Sequence, residues 1–149
     1  MKIDNAEQFL SEIGAPRPHY LIGPCEYTAD GDKHYLRATA LFSSDKSPSV
    51  YDRAMFEDSH VNVGDAYFAL WNGIHIMISQ NGLYNTLAGT GKFHPKKLIL
   101  PDTEIDLEIE VTPKSYNDNV MAHYRATFSL NGEELLELSG NGVAEKKKA

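Results

Sequence analysis

Residues 58–82 read DSHVNVGDAYFALWNGIHIMISQNG, and the fold turns on how this stretch is read. Val63, Tyr67, Leu70, Trp71, Ile74, Met77 and Ile78 recur at helical spacing, which predicts a helix from about Asn62 to Gln80. Asn81 and Gly82 supply its C-terminal stop. A helix this apolar needs burial on most of its sides. Yet it carries Asp65, Asn72, His75 and Ser79, with His60 and Asn62 just before it. At about 100° per residue, Asp65, Asn72 and Ser79 fall in one narrow stripe and His75 lies close beside it.

The sequence on the C-terminal side changes period. In TEIDLEIEVT (103–112) Ile105, Leu107, Ile109 and Val111 alternate with charged residues. In NVMAHYRATFSL (119–130) Val120, Ala122, Tyr124, Ala126, Phe128 and Leu130 share one face. Asn131–Gly132 is a two-residue hairpin signal leading into EELLELSGNGVA. These are antiparallel strands with one wet face. On the N-terminal side, HYLIGPCEYTA (19–29) and HYLRATALF (34–42) read as a strand pair joined by a turn, with Pro24 marking an edge or a bulge. Before them, Phe9, Leu10 and Ile13 form a short helix behind Asp4 or Asn5 as its cap.

The order is short helix, strand pair, one long apolar helix, then an antiparallel meander. The economical way to bury that helix is to wrap it in a curved antiparallel sheet, an α+β arrangement that describes the hot-dog fold. The expectation is a single domain over 1–149, with 1–18 as an N-terminal helical extension and 145–149 as a basic tail. GTGK (89–92) lacks the spacing of a phosphate-binding loop and reads as a turn, and His94 reads as a loop residue.

Composition narrows the function. The formal charge of −7 argues against nucleic acid, which requires concentrated Lys and Arg. Neither a secretory leader nor a membrane span is expected, because MKIDNAEQFLSEIGAP has no apolar core and no apolar run approaches spanning length. One cysteine, Cys25, gives no disulfide and no zinc spacing, so a reducing cytoplasm is the expected compartment. The histidines form no HxxxH or HExxH pattern, so neither metal nor cofactor is expected.

A polar stripe on an apolar helix suits chemistry at an acyl carbonyl. Amides at the helix start, or the side chain of Asn72, would hold a developing oxyanion. Asp65 or His75 would serve as general base on water or shuttle a proton at the α-carbon. Tyr67, Phe68, Trp71 and aliphatic neighbours would line a cleft for the hydrocarbon part of a substrate. The alternative for each polar group is structural: Asn62 or Asp65 as helix cap, His75 bonded to a backbone carbonyl, Ser79 serving the helix end. Asn72 is the hardest to explain that way, because a mid-helix Asn has four hydrogen-bond sites to satisfy.

With HVNVGDAYFALWN (61 and its neighbours, 60–72) and the meander in view, the chain resembles the FcoT-type acyl-CoA thioesterases in fold order over 19–145 and in a short motif at 60–75. His60, Asn62 and Asp65 match that family's His-x-Asn-x-x-Glu segment with Asp in place of Glu, and Asn72 matches its helical Asn. Asn72 lies one residue further on than in the family. Ile76 stands where a Tyr follows, and the upstream Tyr falls near Met55 or Phe56, close to Tyr51. The resemblance implies a homodimer or larger assembly that binds acyl thioesters of coenzyme A or an acyl carrier protein. Lys92, Lys96 and Lys97 would then meet the coenzyme phosphates or an acidic carrier. Three activities follow as expectations: thioester hydrolysis, dehydration or hydration of 3-hydroxyacyl and enoyl thioesters by a His and a carboxylate, or acyl binding without catalysis.

Overall fold

The alternating segments form one antiparallel sheet. The computed structural model describes residues 1–15, 21–43, 61, 63–116 and 119–146. In chain order the elements are β1 (Lys2–Ile3), α1 (Ala6–Glu12), β2 (Ile22–Asp30), β3 (Lys33–Leu41), α2 (Val63–Ser79), β4 (Leu83–Pro95), β5 (Glu104–Tyr116), β6 (Asn119–Leu130) and β7 (Glu133–Lys146). The seven strands lie in the order β1-β2-β3-β5-β6-β7-β4, each antiparallel to its neighbours.

The meander follows the expected register. Leu36, Ile109, Ala126 and Leu138 form one row across the inner face, and Ala38, Leu107, Phe128 and Leu136 form the next. All eight are buried. Phe42 and Phe128 meet at 6.2 Å between ring centres. Asn131 and Gly132 both take positive φ (51° and 80°), the primed turn whose twist matches the strands it joins. Pro24 lies within a bulge between Ile22 and Cys25, as its missing N–H requires. Cys25 is a core group here, and burial pushes its thiol up to about 11.

Helix α2 crosses the inner face. Gly73 stands against the sheet centre: a Cβ there would run into Ile109 Cδ1 and lie 2.8 Å from Leu36 Cδ2. The absence of a side chain is what lets the helix approach this closely. Ala66, Ala69, Leu70, Ile74, Ile76 and Met77 complete its buried surface.

Three sequence expectations change. GTGK is not a turn: residues 83–95 form β4, paired to β7 with bulges at Tyr84/Thr86 and Ala88/Gly91, and His94 sits in that strand. The basic tail begins later than 145, because β7 continues to Lys146. The first residues are more than a helical extension. Ile3 pairs with Cys25 in the sheet, while α1, capped by Asn5 (its side chain accepts from Gln8 N, 3.0 Å), buries Ala6 and Leu10 in the core.

Candidate functional site

The polar residues of α2 divide between its faces. Asp65 and Asn72 share one flank and are 1 % and 5 % exposed. Asp65 occupies the first turn, where free N–H groups and the helix dipole favour a carboxylate. The backbone N–H of Leu21 donates to Asn72 Oδ1 at 2.7 Å, tying the helix to the start of β2. This fixes the amide plane, since the oxygen is held on the β2 side. Ser79 Oγ donates to the Ile76 carbonyl and serves the helix end.

His75 lies on a more open face. Its Nδ1 is 2.7 Å from the Trp71 carbonyl oxygen. A carbonyl only accepts, so Nδ1 carries the proton in the neutral ring and Nε2 keeps its lone pair. Asn72 and His75 are three residues apart, and side chains at that spacing are neighbours on a helix. Asp65 is further away, about 15 Å along the axis from His75 at about 1.5 Å per residue. Asp65 and His75 therefore do not act on the same atom directly. His60 and Asn62 lie outside the described residues.

Tyr67 takes the opposite flank, roughly 160° around the helix from Asp65 at about 100° per residue. The hydroxyls of Tyr67 and Tyr124 converge beside the backbone of Gly91. A Cβ on Gly91 would sit 2.8 Å from the Tyr67 hydroxyl and 3.1 Å from that of Tyr124, so the bulged strand needs glycine there. Trp71 meets Tyr124 edge to face at 6.1 Å. Beyond this pair lies an apolar recess of about 50 Å³ between α2 and β5–β7, lined by Trp71, Ile78, Val111, Ala122, Tyr124 and Gly142 among others. Tyr124 was legible only as an inward strand residue. Its partnership with Tyr67 depends on strand register.

Burial, and then the neighbouring Tyr67 hydroxyl, push the Tyr124 phenol up to about 12. The folded value exceeds the unfolded one of about 10, so the associated stability is fully present below pH 10 and lost as pH rises through 12. Urea unfolding between pH 9 and 12 should show a loss of at most about 3 kcal/mol that is absent from Tyr124→Phe. An identical pH profile in that variant would refute the assignment.

The other expected binding residues are less concentrated. Phe68 is 39 % exposed on the outer side of α2. Lys96 and Lys97 are ion-paired with Glu134 and Glu133, across from the β6–β7 hairpin. Lys92 lies on β4, one residue after Gly91. Among the described residues no cluster of three or more His, Cys, Asp or Glu is placed to hold a metal ion. No helix among them is long and apolar enough to cross a membrane.

No family model and no curated protein sequence matches the chain. Solved structures do. One is yhdA of Lactococcus lactis, a proposed thioesterase, with 11% identity and a TM-score of 0.58 over 86% of this chain and 94% of that one. Another is the dehydratase heterocomplex ApeI:P of Xenorhabdus doucetiae, with 11% identity and a TM-score of 0.52 over 87% of this chain and 84% of that one. At such identities the likeness is one of fold. The likeness, together with the curved antiparallel sheet and its helices described above, is consistent with a hot-dog fold.

Proposed function

We propose that this is a hot-dog enzyme acting on acyl thioesters, and that its reaction is hydrolysis. The observation that carries the reading is the ridge Trp71, His75, Ile78 on α2. These residues are spaced i, i+4, i+7, so they lie in a row. Trp71 and Ile78 line the apolar recess, and His75 lies between them along the helix. An acyl tail in the recess would leave its carbonyl beside the imidazole.

In this reading Nε2 of His75 takes a proton from water as the water oxygen attacks the carbonyl carbon. The amide nitrogen of Asn72 donates to the carbonyl oxygen as charge develops there. The carbon–sulfur bond then breaks, and the imidazolium returns the proton to the leaving thiolate. The products are a carboxylic acid and a thiol. Asn72 is oriented for this by its bond from Leu21.

The fold shared with a dehydratase favours a second reading. There, His60 and Asp65 at the helix start would move protons at the α and β carbons. This is also where the finer likeness to FcoT-type thioesterases resides. Assembly as a homodimer belongs to the same proposal. Strand β4 ends the sheet, and Phe93 is 54 % exposed on it, so a second copy pairing there would cover both. A monomer mass in sedimentation equilibrium would count against this.

The deciding experiment incubates the protein with saturated, enoyl and 3-hydroxyacyl thioesters, on coenzyme A and on an acyl carrier protein, and follows products by mass spectrometry. Free acid with free thiol is the expected result. A change of one water on an intact thioester would replace hydrolysis by the second reading. Turnover of none of them would leave binding without catalysis.

A further inference from the structure

The recess beside α2 is small and apolar, which bears on what it can hold. An apolar cavity of roughly 150 Å³ accepts benzene. A volume of about 50 Å³ therefore has room for roughly two carbons of an unbranched chain, with the rest of a short acyl group outside it. Ala122 and Gly142 lend its lining little bulk. Tyr124, in edge contact with Trp71, adds bulk to its lining. None of its described lining residues is charged. A polar or charged tail would lose its water there without compensation.

We propose that this recess is a length gauge: it takes the tail of a short, unbranched acyl group of about four carbons or fewer, and Trp71, Ala122 and Ile78 set that limit. The inference rests on the acyl-thioester reading above and adds the class of acyl group. Each further methylene that fits adds about fourfold in affinity, and the first that does not fit reverses the trend.

Trp71 is the only tryptophan in the chain, so its fluorescence reports on the recess directly. The probe is a series of S-alkyl pantetheine thioethers with a terminal bromine, two to twelve carbons long, titrated into the full chain. These are not hydrolysed, so the readout does not depend on turnover. Saturable quenching is expected, strongest for chains of two to four carbons and weaker beyond. Ala122→Leu, which fills the recess, should weaken the four-carbon probe at least tenfold. Ile78→Ala, which enlarges the recess, should move the optimum to longer chains, and this gain in a folded variant excludes simple unfolding. Quenching that rises steadily to twelve carbons would overturn the gauge. So would no quenching at any length, or an optimum that Ile78→Ala does not move. The expected binding pattern with no turnover of any thioester would uphold the gauge and overturn the hydrolase. Turnover with an optimum insensitive to Ile78→Ala would do the reverse.

Discussion

Gly73→Val is expected to destabilise the protein by roughly 3 kcal/mol, at the upper end for an overpacked core. Helix propensity alone argues the other way, since almost any side chain is better than glycine within a helix, by up to about 1 kcal/mol. Packing decides the sign. The new Cβ would meet Ile109 Cδ1 and Leu36 Cδ2, both on residues that are at most 1 % exposed. Neither has free volume to move into, so the helix must lift from the sheet or the row beneath it must shift. Chemical denaturation would measure the loss. Gly73→Ala should fall between, with its smaller clash partly offset by propensity. A valine variant as stable as the parent would show that the helix–sheet contact is slack.

His75→Gln should lower kcat about 10²- to 10⁴-fold on whichever thioester is turned over, the range for loss of a general base. Stability should change little, because the imidazole is half-exposed and its one described bond is to a carbonyl in its own helix. Asn72→Ala behaves differently. It removes the acceptor of the buried Leu21 N–H, and leaving such a donor unpaired costs about 1 to 3 kcal/mol. Lost activity in that variant is therefore informative only beside its stability. Melting curves and single-turnover rates on both variants would separate catalysis from folding. A His75→Gln rate within a few-fold of the parent would move the search for the base to the helix start, where Asp65 lies.

The elements whose pattern is local were legible from sequence. Strict alternation located β5 and β6, Asn131–Gly132 located the hairpin, and helical spacing located α2 to within a residue at each end. Strand β4 was not legible. Its sequence LYNTLAGTGKFHP carries two glycines and two bulges, which erase the alternation and imitate a turn. One of those glycines is required by two tyrosines distant in sequence, a cause that no local window contains. The helical wheel correctly grouped Asp65 with Asn72. It could not say that this flank faces Leu21 while Tyr67 faces Gly91, because that depends on where the sheet lies. Trp71 and Tyr67 were identified as aromatic, but the recess needs Ala122, Tyr124 and Gly142 from other strands to exist.

The strand order also governs how the chain reaches its native state. Strands β5, β6 and β7 join through tight connections, so their pairing closes only short loops. β3 must find β5 with α2 and β4 still lying between them in the chain, matching His34 to Val111. β4 must reach past two strands to zip onto β7. Loop-closure entropy opposes both events before any contact rewards them, which places this topology among the slower folders of its size. Helix α2 is tethered to both of those late strands. Its apolar surface has no complete sheet to cover it until they arrive, so the interval before they dock is when the chain is most exposed to aggregation.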